Sequence, residues 1–153
     1  MEDISIDFSA LQQYLTIKNE KGKRYIFCCI RNKYLVITPE EIVRQLLLQY
    51  LTRVKLYPKN RIAVEKQLII NGRKKRFDIL ILNKEVEPTI LIECKAPSIP
   101  ITQAVFNQIA QYNMSLNTNL LIITNGEMTY CCSVNRENKR FEFLTEIPSF
   151  EKK

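Results

Sequence analysis

The chain has 153 residues, with 23 Lys and Arg against 16 Asp and Glu, a formal net charge of +7, and neither histidine nor tryptophan. Without histidine it can build no Ser-His-Asp triad, no Cys-His pair, no HExxH zinc site and no nuclease centre that uses imidazole as base or ligand. Any catalysis must run on carboxylates, lysine, tyrosine, cysteine or a metal.

The length suits one domain. With 46% apolar and 25% charged residues the composition is that of an ordinary soluble protein with a real core. No apolar run approaches the roughly 18–20 residues of a membrane span, and the start, MEDISIDFSALQQYL, has no basic-then-apolar signal pattern. The expectation is a cytoplasmic protein of one domain over 1–153, with 1–20 as an N-terminal extension and 21–146 as the core. The five cysteines, Cys28-Cys29, Cys94 and Cys131-Cys132, form no CxxC spacing. Neighbours on a strand point to opposite faces, so these read as buried reduced thiols. Charge is uneven. Residues 1–77 hold 16 basic and 7 acidic side chains, a net of +9, while 78–153 hold 7 and 9, a net of −2. A basic first half suits a polyanion-facing surface, or merely a solvated one.

In chain order, residues 24–30 and 34–37 are rich in strand formers and read as a short hairpin. Thr38-Pro39-Glu40-Glu41 opens a helix, with Thr38 at the N-cap, Pro39 at N1 and Glu41 completing a capping box. Its apolar stripe is Ile42, Val43, Leu46, Leu47, Tyr50 and Val54, and it ends before Pro58. Residues 61–70 and 74–83 flank Asn71-Gly72 and read as a long hairpin. Residues 89–95 form a nearly continuous apolar strand, hence a central one. A second helix runs from about Thr102 to Leu116, with Val105, Ile109, Tyr112 and Leu116 as its stripe. Residues 119–124 form another buried strand, and 127–134 with 140–146 make an edge hairpin. Strand, helix, strand over 89–124 favours a parallel pair. The expected fold is a mixed-sheet α/β sandwich. Gly22, Gly72 and Gly126 all read as turns, and none belongs to a GxxxxGK[ST] phosphate loop, so no ATP-binding motif is present.

Polar residues inside apolar strands carry the chemistry. Asp78 interrupts RFDILIL, and Glu93 and Lys95 end TILIECK. A buried charge needs a partner or a metal. Glu93 and Lys95, two apart on a strand, share one face, while Cys94 points into the packing. If the strands of Asp78 and Glu93 are neighbours, two carboxylates meet beside a lysine, a hard-oxygen site suited to Mg²⁺. The bland alternative is a structural ion-pair network. Arg73, Lys74, Lys75 and Arg76 read either as a solubilising turn or as a phosphate-tracking strip into Asp78. Tyr14, Tyr25 and Tyr34 read as scattered packing residues; the alternative, stacking on bases, has no support in the sequence.

Asp78 followed by Glu93-Cys94-Lys95 resembles the PD-(D/E)xK nuclease signature, with Phe77 where the name expects a proline that varies in such folds. Gln108-Ile109-Ala110-Gln111-Tyr112 resembles the QxxxY element of its RecB-like branch. The segments TPEEIVRQ (38–45), VEKQL (64–68), KRFDI (75–79), IECKAP (92–97), ITQAVFNQIAQYN (101–113) and ITNG (123–126) together are similar to one family. That family is the N-terminal nuclease-like domain of type I restriction enzyme R subunits, including short free-standing versions. The similarity spans roughly 20–146.

The resemblance implies a core of four mixed strands flanked by helices, and DNA cleavage dependent on Mg²⁺ or Mn²⁺. It implies that Asp78, Glu93 and the Cys94 carbonyl ligand the metal, and that Lys95 positions the attacking water and offsets charge on the phosphate. Gln108 would orient the site or contact a nucleotide, and Tyr112 would pack or reach a phosphate. Such sites also use a first-helix glutamate. Glu40 borders the apolar stripe and is the choice over Glu41, with Arg44 one turn on as phosphate contact or ion partner. Implied partners are DNA and either a second copy of the chain or other restriction or DNA-processing subunits; no motor or specificity region lies within these residues. The alternative is a catalytically silent nucleic-acid-binding or assembly module of the same fold.

Overall fold

A computed structural model describes residues 1–151. Two sheets organise them. The first has three antiparallel strands, β1 (Ile17–Glu20), β2 (Lys23–Cys28) and β3 (Lys33–Val36). The expected hairpin is β2–β3, and β1 joins it from the segment read as an extension. The second has six strands in sequential order: β4 (Ile62–Ile70), β5 (Arg73–Leu82), β6 (Pro88–Cys94), β7 (Leu120–Thr124), β8 (Thr129–Asn135) and β9 (Arg140–Phe143). Only β6 and β7 pair in parallel. Helix α1 (Pro39–Arg53) precedes this sheet, and α2 (Gln103–Leu116) is the crossover between the parallel strands. The expected α/β architecture is therefore present, with six strands in the main sheet and β6 at its centre.

Local chemistry accounts for the boundaries. The Glu41 N–H donates to Thr38 Oγ1 at 3.0 Å, so Thr38 caps α1 with Pro39 at its first position. Asn71 and Gly72 both have positive φ, +51° and +76°, as a two-residue hairpin turn of primed type requires. Thr102 caps α2 by accepting the Val105 N–H, and Asn117 ends it in the left-handed conformation. At Gly126, φ is +89° and a Cβ would stand 3.1 Å from Val43 Cγ2, so the β7–β8 turn presses against α1.

The main sheet is covered on both faces. One face (Ile79, Ile81, Ile92, Cys94, Cys131) packs with α1 and with Phe8 and Leu11 of a 3-10 helix over Phe8–Tyr14. The other (Phe77, Leu80, Leu91, Leu121, Cys132) packs with Phe106 and Ile109 of α2. The adjacent cysteines of β8 thus enter different cores, as strand alternation requires, and all five cysteines are free thiols.

Both helical stripes differ from expectation. In α1, Leu48 and Leu51 are fully buried while Val54 is 50% exposed. The 3-10 helix packs on α1 from outside, so the helix has apolar neighbours on two sides. In α2 the buried residues are Phe106, Ile109, Ala110 and Asn113, and Tyr112 is 46% exposed. The cause is Phe106, whose ring meets Phe141 and Phe143 of β9 with centroids 5.7 and 5.2 Å apart. This turns the helix by about one residue, roughly 100°, and leaves Gln108 and Tyr112 beside the sheet rather than under it.

Candidate active site at the ends of β5 and β6

Antiparallel pairing sets Ile79 opposite Ile92 and Leu80 opposite Leu91. The next pair in that register is Asp78 with Glu93. Here the backbone ladder stops and the Asp78 side chain takes its place. Asp78 Oδ2 accepts the Cys94 N–H at 2.8 Å. The Glu93 carboxyl lies within hydrogen-bonding contact of Asp78. One residue beyond β6, the Lys95 N–H still donates to Thr124 O at 2.9 Å, which holds Lys95 in the strand's line and on the Glu93 side. Cys94 is fully buried on the opposite face.

Glu93 and Lys95 open into a cavity of about 400 Å³, together with Lys74, Lys75, Arg76 and, from α2, Gln108 and Tyr112. The rotation of α2 described above is what puts the last two there. The Lys75 ammonium lies 4.6 Å from the Tyr112 ring centroid and donates to Ser115 Oγ at 3.2 Å. Lys95 is within 4 Å of no carboxylate among the described residues. Its charge faces the cavity uncompensated by an ion pair.

Behind the carboxylates lies a second charged layer. Arg44 is only 5% exposed. Its Nη2 meets Asp78 Oδ1 at 2.9 Å, Glu65 Oε1 at 3.0 Å and Glu40 Oε1 at 3.3 Å, and its Nη1 meets Glu41 Oε1 at 2.8 Å. Burial opposes its charge, but Asp78 and then Glu41 outweigh that and raise its pKa. A phosphate could reach Arg44 only by displacing these partners. Glu40 stands at the exposed edge of the cluster, its pKa raised by burial and then by the Asp78 charge, with Arg44 and Lys95 opposing.

Two residues here correct or extend the sequence reading. The Glu41 carboxylate does not return to the helix N-terminus to complete a capping box. It is 7% exposed and bound by Arg44, by Arg31 Nη2 at 3.1 Å and by Gln45 Nε2 at 3.2 Å. The β2–β3 loop brings Arg31 to that side of α1, so the helix has no free flank there. Glu65 was not anticipated at all. The β4–β5 ladder pairs Val64 with Ile79 and Lys66 with Phe77 but breaks between them, where Glu65 faces Asp78 with φ +55°. This left-handed residue costs on the order of 1 kcal/mol or more. It aims its carboxylate at Arg44 and at Arg76 Nη2. The one hint in the sequence was a lone glutamate in an otherwise strand-like run.

Burial, then the charge and hydrogen bond of Asp78, push the Glu93 carboxyl up to about 9, with Lys95 opposing. In the metal-free chain Glu93 therefore keeps its proton at neutral pH. The unfolded chain releases that proton near 4.5, so it binds fewer protons than the folded chain between 4.5 and about 9. Stability is thus expected to fall as pH rises through that window in the presence of a chelator. Glu93→Gln should flatten the decline and raise the melting temperature near its upper end by roughly 3–6 °C, for about 1–2 kcal/mol. Melting curves of both proteins across the window test this; parallel curves would exclude a proton held on Glu93.

A restriction-endonuclease-like core is defined by this arrangement of a mixed sheet between helices, with the acidic ends of two neighbouring strands opening on a basic cavity. The family is also shown directly. The model of the type I restriction enzyme R protein N terminus (HSDR_N) matches residues 39–148, and the chain belongs to that family. The match begins at the first residue of α1, so β1–β3 lies outside it. Comparison with curated proteins gives no significant match.

Proposed function

We propose that this chain hydrolyses DNA phosphodiester bonds with a divalent cation, Mg²⁺ or Mn²⁺, held by Asp78, Glu93 and the Cys94 carbonyl. The observation that carries the reading is the meeting of the Asp78 and Glu93 carboxyls across β5 and β6, with Lys95 beside them and a basic cavity in front. The donor set suits the ion. Among the described residues no three Asp, Glu or Cys side chains are placed to hold a metal. Mg²⁺ does not require them: it binds through one or two carboxylates and keeps several waters. A buried carboxyl pair that holds a proton for want of positive charge is also what a cation would relieve.

Bound there, the cation would supply Lewis-acid polarisation of the phosphate and a more acidic water. The chain's own groups do the rest. Lys74, Lys75 and Arg76 hold the phosphates at the cavity mouth. Lys95 keeps the attacking water in line and offsets charge developing on the phosphate oxygens. Gln108 orients the nucleotide and Tyr112 backs it. Glu40 shares the charge of the cluster, and Arg44 pins Asp78 from behind. Double-strand cutting with one such site would call for a second copy or another restriction subunit. Among the described residues no helix is long and apolar enough to cross a membrane, and the reading places the protein in the cytoplasm.

A second reading has one observation in its favour. The Arg44 guanidinium already sits among the Glu40, Glu65 and Asp78 carboxylates as a built-in cation, as a silent DNA-binding or assembly module of this fold would allow. Supercoiled, linear and single-stranded DNA incubated with Mg²⁺ or Mn²⁺ separates the two. Metal-dependent nicking supports the nuclease; DNA binding by a folded chain with no cleavage of any substrate leaves the module.

A further inference from the structure

Tyr14, Tyr25 and Tyr34 are not scattered packing residues. Ile26 and Cys28 of β2 are fully buried, Cys28 in the core it shares with α1, so the alternate residues Tyr25 and Phe27 point outward. The ladder sets Tyr25 beside Lys18 and Val36, and Phe27 beside Tyr34. The outer face of the three-stranded sheet is therefore aromatic and wet. Tyr34 and Val36 are 38% and 55% exposed, and the Phe27 and Tyr34 rings meet edge-on at 5.2 Å. Lys18 lies over this face, 4.1 Å from the Tyr34 ring and 5.9 Å from that of Tyr25.

Past Phe27 the face runs into a cavity of about 410 Å³ between the sheet and the end of α1, lined by Tyr14, Gln49, Arg53 and Lys59 among others. The Arg53 guanidinium stacks 3.7 Å from the Tyr14 ring centroid. Neither Arg53 nor Lys59 is within 4 Å of a carboxylate among the described residues. Residues 17–36 hold six basic side chains and one acidic; Arg31 is turned to Glu41 and Lys18 pairs with Glu20 at 3.2 Å, while the exposed Lys21, Lys23, Arg24 and Lys33 have no carboxylate within 4 Å among the described residues.

We propose that the outer face of β1–β3 and the adjoining Tyr14–Arg53 cavity form a docking surface for single-stranded DNA. Exposed rings on a sheet accept bases regardless of sequence, and surrounding Lys and Arg follow the backbone. An acidic protein would use the charge but leaves the rings unexplained. A duplex hides its base faces and could use only the charge. A base entering over Tyr34 displaces Lys18, whose flexible stem lets the ammonium move to a phosphate. The rows of Tyr25 and Phe27 are about 6.6 Å apart along the strand, room for two or three bases. The choice of DNA over RNA rests on the nuclease reading; the stacking face does not.

The test is fluorescence anisotropy of short labelled oligo-dT with the full chain and EDTA, where nothing is cleaved. The background carries Lys74→Ala, Lys75→Ala and Arg76→Ala, which silences the other basic cavity. Oligo-dT should still bind, more tightly than duplex of equal length. Affinity should fall about 5-fold or more on Tyr34→Ala or Tyr25→Ala, with Tyr34→Phe binding as well as tyrosine. The wild-type chain, photo-cross-linked to iodouracil-containing oligonucleotide, should carry adducts at Tyr25, Phe27 or Tyr34, which needs no variant to fold. Loss of all oligo-dT binding in the triple variant overturns the proposal. So do unchanged affinity in Tyr34→Ala, adducts confined to Tyr112, or stronger binding of anionic vesicles than of oligo-dT. Tighter binding of oligo-rU than oligo-dT overturns the assignment to DNA. A chain that binds through this face yet cuts nothing retains the docking surface and loses only the nuclease.

Discussion

Arg44→Ala is expected to cost about 3–5 kcal/mol of folding stability, the range for stripping one partner from a buried ion cluster. The reason is the number of charges that depend on it. The guanidinium is the common partner of Glu40, Glu41, Glu65 and Asp78. Glu41 keeps Arg31 and Glu65 keeps Arg76, but Asp78 has no other salt-bridge partner among the described residues. Alanine would leave the Asp78 carboxylate beside Glu40 with no cation, held only by the Cys94 N–H and the Glu93 carboxyl. For a chain of this length the loss corresponds to a fall of roughly 6–20 °C in melting temperature. Lys84→Ala, on an exposed turn, should stay within about 0.5 kcal/mol. Urea unfolding of the two variants beside the wild type decides it. If Arg44→Ala unfolds within 1 kcal/mol of wild type, by about the resolution of such curves, Arg44 is not what holds the carboxylates.

Arg44 also marks where sequence reading stops. Asp78, Glu93 and Lys95 could be found because strand alternation is local: a charge in an apolar strand is conspicuous, and residues two apart must share a face. The two strands are neighbours in the chain, so their register needed only a short turn. The helices were harder. A helical wheel yields the apolar stripe but not what covers each side of it. The 3-10 helix at Phe8–Tyr14 buries the flank of α1 that the pattern left to solvent, and the β2–β3 loop delivers Arg31 to Glu41. In α2 the orientation depends on Phe141 and Phe143 in the last strand, which no window around Phe106 contains. Glu65 needed a broken ladder, visible only when Val64 and Lys66 are both paired and Glu65 is not. The aromatic outer face of β1–β3 escaped for a similar reason. The hairpin of Tyr25 and Tyr34 is legible, but which of its faces is covered is set by α1, and Tyr14 reaches that side only through the 3-10 helix.

Lys95→Ala should leave the fold intact and remove most of the metal-dependent cleavage, by about 10²–10³-fold in rate at saturating DNA. That corresponds to roughly 3–4 kcal/mol of transition-state stabilisation. The side chain is half-buried at the cavity wall and ion-pairs with nothing among the described residues, so its removal leaves no partner stranded. Its charge acts on Glu93 and is not already spent on an ion pair. If it acts on the developing charge of the phosphate, the loss falls on kcat and leaves the metal concentration for half-maximal activity near its wild-type value. Asp78→Asn should behave differently. It removes one of the two carboxylates assigned to the cation and weakens the bond to Arg44, so cleavage, metal dependence and melting temperature all change together. The pair of variants therefore separates a group that acts on the reacting phosphate from one that builds the site. Lys95→Ala cleaving at the wild-type rate would take the lysine out of the chemistry, whatever Asp78→Asn does. A loss on Lys95→Ala that excess metal restores would place the lysine in cation binding instead.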